Sequence, residues 1–259
     1  MAELLVWPAL IAYGEAALAY AGALGDGSSG SAARLGIWGV RIGWLAQTAL
    51  LVAQLATTEG FPWGTWAGAL NLFSWLVVTG YLLWGSNPRY RLLGLGVMPV
   101  AAVLLTLAWA GGGTGVDASV GAGWALDLHV GLMLAAFASF TVAAAVAGLY
   151  LFEERRLKRR DARLLRLRLP SLEALDRLAA RVALVGLGLL SAGIVVGLTR
   201  LDAADVDLAM TITLGVWVLY AVTLLLRWET ALQGKRLAWS LLAGLALVSV
   251  VLPLTHFAS

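Results

Sequence analysis

Residues 128–151 read Leu128-His129-Val130-Gly131-Leu132-Met133-Leu134-Ala135-Ala136-Phe137-Ala138-Ser139-Phe140-Thr141-Val142-Ala143-Ala144-Ala145-Val146-Ala147-Gly148-Leu149-Tyr150-Leu151. The chain then turns abruptly to Phe152-Glu153-Glu154-Arg155-Arg156-Leu157-Lys158-Arg159-Arg160. A hydrocarbon core about 30 Å thick is crossed by about 20 apolar helical residues. The first stretch therefore reads as a transmembrane helix, and the second as its aqueous anchor. Working outward, eight segments meet the same standard, near 3–24, 34–56, 63–84, 91–110, 126–151, 172–199, 207–227 and 236–256. Gly, Ser, Asn, Pro and charge clusters punctuate them. Of the 259 residues 61% are hydrophobic and 13% charged, whereas soluble domains run roughly half apolar and about a quarter charged. The expected fold is all-α: a polytopic membrane protein of about eight transmembrane helices, one integral membrane domain over 1–259, with 152–170 as a basic connection inside it.

Lys and Arg set the expected orientation. Arg34, Arg89 and Arg91, the run from Arg155 to Arg160, and Lys235 with Arg236 fall in one set of loops. The other set, 57–62, 111–125 and 200–206, holds one basic residue, Arg200, near Asp202, Asp205 and Asp207. This alternation puts both termini outside and the basic loops in the cytoplasm, in a multi-pass protein of the cell (cytoplasmic or inner) membrane. The basic residues thus have a membrane explanation, and no nucleic-acid partner is expected. Glu3 and a long apolar run from Leu4 argue that the first segment is a retained helix rather than a signal peptide. The 152–170 connection reads as a cytoplasmic extension of the fifth helix lying partly on anionic lipid. A docking site for a soluble partner is the alternative. Ser171 reads as the N-cap of the sixth helix, with Glu173 and Asp176 favourable in its first turn.

Cysteine is absent, which excludes disulfides, thiolate metal sites and cysteine catalysis. The two histidines, His129 and His256, each end a long apolar segment on the same expected outer side. Either is by itself an ordinary interfacial residue; together they suit axial ligation of a flat metal cofactor such as haem. Asp127 is a candidate acceptor to orient His129. Trp7, Trp63, Trp66, Trp109 and Trp124 map to outer helix ends, as an interfacial aromatic belt or as flat walls for a planar ligand. Of these, Trp63, Trp66 and Trp124 are the candidate walls, and Arg200 is the candidate partner for a ligand carboxylate. Glu15 and Arg41, inside the first two segments, are expected to pair because lone charges are expensive in lipid. Gln47, Gln54 and Asn71 are candidates for interhelical hydrogen bonds or a pore lining, and Gly111-Gly112-Gly113 is expected to loosen the loop after the fourth helix. No phosphate loop, metalloprotease histidine pair or Ser/His/Asp arrangement is present, so the chain reads as non-enzymatic.

Several stretches together carry a likeness: Leu128-His129 with its Ala/Phe-rich helix and Gly148-Leu149-Tyr150-Leu151; Leu169-Pro170-Ser171-Leu172-Glu173-Ala174-Leu175-Asp176-Arg177-Leu178; Trp217-Val218-Leu219-Tyr220; Arg227; and Gly234-Lys235-Arg236. In order and spacing the chain resembles the CcsA/CcmC cytochrome c assembly superfamily of haem-handling membrane proteins, nearest its HemX/YpjD-like branch. The resemblance implies an eight-helix fold holding non-covalent haem b at its outer face. His129 and His256 would match the two outward histidines and ligate the haem iron. It also implies a tryptophan-rich segment between helices six and seven, yet 200–207 contains no tryptophan. This departure argues against a complete cytochrome c synthase. Gln47 stands where relatives tend to carry a helix-two histidine.

Two functional readings follow. One is a haem-binding membrane protein of haem transfer or sensing, partnered by a cytochrome c assembly protein or a haem-biosynthesis enzyme. The other follows from the association of HemX-like proteins with glutamyl-tRNA reductase abundance: a regulatory scaffold that acts through its basic cytoplasmic loop without stable haem.

Overall fold

The computed structural model describes residues 2–25, 30–57, 62–85, 90, 92–115, 123–159, 170–199, 208–230 and 232–257. Among the described residues there are eight α-helices: α1 Val6–Gly25, α2 Gly30–Thr57, α3 Trp66–Trp84, α4 Leu93–Ala110, α5 Trp124–Lys158, α6 Leu172–Leu198, α7 Leu208–Thr230 and α8 Lys235–Phe257. Seven of them, α1 to α7, are long and apolar enough to cross a membrane by length and composition. The expected segments and the observed helices agree closely, because long apolar runs bounded by turn residues leave the backbone one way to satisfy its hydrogen bonds in lipid. The fifth helix does continue past its apolar stretch, to Lys158.

The helices form two compact units. The first runs from the N-terminus to Asp127 and contains α1 to α4; the second begins at Leu128 and contains nearly all of α5 with α6 to α8.

In the first unit, small residues let α1 and α2 approach closely. Gly39 lies against Ala12 and Ala16, Gly43 against Ala12 and Tyr13, and Gly36 against the Tyr20 ring. Across this seam runs a chain of buried side-chain hydrogen bonds. The Tyr13 hydroxyl donates to Gln47 Oε1 (2.7 Å), and Gln47 Nε2 donates to both the carbonyl and the Oδ1 of Asn71 (3.0 Å each). Asn71 Nδ2 donates to Gln54 Oε1 (3.1 Å), and Gln54 Nε2 donates to the carbonyls of Gly113 and Gly115 (3.1 and 2.7 Å). Gln47, Gln54 and Asn71 are at most 1% exposed, so these residues are interhelical ties rather than a pore lining. Next to them, two reciprocal bonds join α2 to α3: Trp44 Nε1 to Thr79 Oγ1 and Trp75 Nε1 to Thr48 Oγ1, both 2.8 Å. The two indoles stack at 5.8 Å.

Two expectations are corrected in this unit. Glu15 and Arg41 are both exposed, and no ion pair joins them among the described residues. At roughly 100° per residue, Arg41 stands about half a turn from the seam that Gly39 and Gly43 define on α2, and Glu15 about a quarter of a turn from the seam that Ala12 and Ala16 define on α1. Arg41 instead lies over the Trp38 ring, 5.4 Å from its centroid. The glycine triplet after α4 is itself closely packed rather than loose. Gly113 packs directly on the backbone of Ala67 and Gly68 with no room for a side chain, and Gly112 takes the positive φ of 78° that the turn requires.

The second unit is centred on a stack. The rings of Phe140 on α5 and Tyr220 on α7 lie 3.7 Å apart at 14°. Gly186 of α6 closes the Phe140 side and Gly244 of α8 the Tyr220 side. Four helices thus contribute to one aromatic layer, two with rings and two with the absence of a side chain. Trp217 Nε1 adds a bond to Ser191 Oγ (2.8 Å) between α7 and α6.

Gln47→Leu removes one link of the amide chain and strands the Tyr13 hydroxyl and the Asn71 Oδ1. We expect a loss of about 1–3 kcal/mol of stability, measured by denaturant unfolding of the detergent-purified protein.

Candidate functional site

His129 occupies the second turn of α5, where it meets α6 near the end of that helix. Its Nδ1 lies 2.7 Å from the carbonyl oxygen of Gly193. The ring rests on Gly197, one turn further along: a Cβ there would come within 2.8 Å of His129 Cε1 and 2.9 Å of Nδ1. Gly193 itself faces Met133. The motif Gly193-Ile194-Val195-Val196-Gly197 therefore forms a notch in α6 that receives an imidazole. A carbonyl can only accept, so Nδ1 carries the proton. In the neutral ring the lone pair then resides on Nε2. A histidine held this way is a pre-oriented ligand, since the partner of one nitrogen sets the tautomer and aim of the other.

The orienting acceptor is thus the Gly193 backbone. Asp127 lies on the same helix as His129 but two residues earlier, a spacing at which helical side chains do not face each other. His256 has its backbone in the last turn of α8, while its side chain lies outside the described residues. Gly234 at the start of α8 is tied to Asp176 at the start of α6, so the two helices set out from the same end of this unit. Counted from Gly234 and Asp176 at 1.5 Å per residue, residue 256 is roughly 33 Å along α8 and the Gly193–Gly197 notch roughly 26–32 Å along α6. Arg200, with the rest of 200–207, lies outside the described residues. Among the described residues there is no cluster of three or more His, Asp or Glu side chains suited to a bare metal ion. A single imidazole nitrogen matches an axial position on a metal whose other ligands come from a macrocycle, so the chemistry of His129 fits haem.

The aromatic candidates fall largely in the first unit. Trp66 is exposed at the start of α3 and covers Gly111, and Trp63 is half-buried in the short 3-10 turn Pro62–Gly64 just before it. Trp7 and Trp109 meet edge to face at 5.0 Å. The start of α1, the start of α3 and the end of α4 hence share one aromatic-rich end of that unit. Trp124 is the first residue of α5 and is exposed.

At the opposite end of the second unit lies an arrangement that sequence reasoning missed. Ser171 caps α6 as expected, accepting from the Ala174 amide at 3.2 Å. Asp176, however, is more than a first-turn acid. It is buried, its Oδ2 accepts from Arg227 of α7 at 2.6 Å, and its Oδ1 accepts from the Gly234 amide at 2.7 Å. Gly234 adopts a φ of 65°, which favours glycine, and lies under the Tyr150 hydroxyl. One carboxylate thereby gathers α6, α7 and the turn before α8. The segments in which Asp176, Arg227 and Gly234 occur were legible only as separate pieces of a likeness; their meeting is a tertiary fact.

Asp176→Asn removes the charge partner of Arg227, whose side chain is 17% exposed, and we expect a loss of about 3 kcal/mol in denaturant unfolding. The double variant Asp176→Leu/Arg227→Leu should recover part of it, because no lone charge is left behind. Gly197→Ala should move the His129 ring out of its notch, read as a change in the imidazole nitrogen chemical shifts.

The family described as "Cytochrome C assembly protein" matches residues 63–257, a span that includes α3 to α8. The chain is 31% identical over 158 residues to Protein HemX of Brevibacillus brevis; the match covers 60% of this chain and 58% of that relative's length. No solved structure matches significantly. The family match takes in well over half of the chain, and with it the helices that carry His129, the α6 notch and the Asp176 clamp: the protein belongs to the cytochrome c assembly protein family.

Proposed function

We propose that this is a multi-pass, non-enzymatic membrane protein of the cytoplasmic membrane that binds haem b non-covalently at its outer face and serves haem transfer or sensing. The observation that carries this reading is the 2.7 Å contact between His129 Nδ1 and the Gly193 carbonyl, which leaves Nε2 free to coordinate. His129 would supply one axial ligand and His256, from the last turn of α8, the other. Haem bound there supplies a redox-active iron; the chain's own contribution is to hold one imidazole in a fixed tautomer. Membership of the cytochrome c assembly family and the likeness to a protein named HemX support a haem-related role. Gln47 is not an intramembrane ligand in this reading, because its amide is already engaged by Tyr13 and Asn71.

Hemin titration of the detergent-purified chain is expected to give a six-coordinate low-spin spectrum at one haem per chain. His129→Ala and His256→Ala should each abolish it. Full occupancy with an unchanged spectrum in both variants would overturn the ligand assignment.

A second reading is favoured by the continuation of α5 to Lys158, which displays exposed Arg155 and Lys158 on a regular helical surface. The protein would then be a scaffold that controls the abundance of glutamyl-tRNA reductase from the cytoplasmic side. Neutralising Arg155, Arg156, Lys158, Arg159 and Arg160 should change the abundance of that enzyme while membrane insertion stays normal. Unchanged abundance would sink this reading.

A further inference from the structure

At the end of the second unit opposite His129, α6 and α7 border an open cleft of about 420 Å³. Its lining is graded. Arg177 and Arg181, one turn apart on α6, and Arg227 near the end of α7 mark the lower part; Leu184 and Leu224 line the upper part, and Trp228 stands at the rim. From Arg177 to Leu184 is about 10 Å along the helix, so the cleft changes from cationic to apolar over about the depth of a lipid headgroup region. Leu184 is 60% and Trp228 90% exposed, which leaves both free to meet acyl chains and the interface.

The charges do not cancel. Arg227 is engaged by Asp176 at 2.6 Å, and Arg177 is loosely held by Glu173 at 3.3 Å in an exposed pair, which contributes little. Arg181 has no ion pair or hydrogen bond among the described residues and is exposed. Three guanidiniums therefore face two carboxylates, a surplus of one positive charge at the boundary between polar and apolar lining. A guanidinium fork suits phosphate oxygens, which it binds through two parallel hydrogen bonds.

We propose that this cleft is a specific site for an anionic phospholipid, whose phosphodiester is bound by Arg181 with help from Arg177 and whose acyl chain lies along Leu184 and Leu224. A phosphodiester carries the single negative charge that the cluster lacks, its oxygens suit the guanidinium fork, and its acyl chains match the apolar upper wall. The site is independent of the haem reading, since it uses none of the residues invoked there.

The test is lipid titration of the delipidated full chain in detergent, read by native mass spectrometry. Phosphatidylglycerol should occupy a first site at least about tenfold more tightly than phosphatidylcholine, the scale of one charge-assisted bidentate contact. Arg181→Gln should remove that preference, Arg181→Lys should retain part of it, and Arg155→Gln, outside the cleft, should leave it intact. Arg181 is exposed, so these variants leave the core untouched. Millimolar inorganic phosphate should fail to displace the lipid. Equal binding of the two lipids, loss in Arg155→Gln equal to that in Arg181→Gln, or displacement by free phosphate would each overturn the proposal, the last in favour of a soluble phosphate site.

Discussion

A polar group surrounded by hydrocarbon must find its partner within the protein, and most of the specific structure here answers that constraint. The backbone answers it by forming helices. Side chains answer it in three places: the amide chain from Tyr13 to the Gly113 and Gly115 carbonyls, the His129 ring on the Gly193 carbonyl, and the Asp176 carboxylate shared by Arg227 and the Gly234 amide. Each links helices that apolar packing alone would leave free to slide, because lipid tails are as apolar as the leucines they would replace. The polar ties decide which helix faces meet; the glycines beside them decide how closely.

The second unit applies this logic at both ends. Near one end a notch of two glycines one turn apart holds an imidazole by its Nδ1. At the other a buried carboxylate draws three chain segments together. Between them, the layer of Gly186, Phe140, Tyr220 and Gly244 fills the interior, with the Tyr220 hydroxyl donating to the Leu241 carbonyl at 3.4 Å. Such a frame keeps the His129 end and the Arg-lined end at a set separation.

The helices themselves were readable because their signal is local. Apolar runs of about 20 residues, the charge switch after Leu151 and the Ser171 cap each depend on neighbours in sequence. His129 was singled out by rarity, and its pocket lies among small residues that the sequence showed only as generic packing sites. From sequence alone Asp176 reads as a helix-dipole acid, because its real partners are 51 and 58 residues away. The Glu15–Arg41 pair failed for a related reason: depth along two antiparallel helices can be counted from sequence, but the rotation of each helix about its axis is set by packing. Here Ala12 and Ala16 against Gly39 and Gly43 turned both charges off the seam.

The amino-acid sequence by itself determined that the chain is helical and membrane-spanning, and where its helices start and stop. These depend on composition and short-range pattern, and the bilayer permits few alternatives. Only the tertiary structure decided that the Gly193 carbonyl fixes the tautomer of His129, that Gln47 is spent on an amide chain, and that Asp176 unites α6, α7 and the turn into α8. Those outcomes depend on helix rotation and close approach between segments distant in sequence. They are set by which side chains interlock, and no local pattern encodes that.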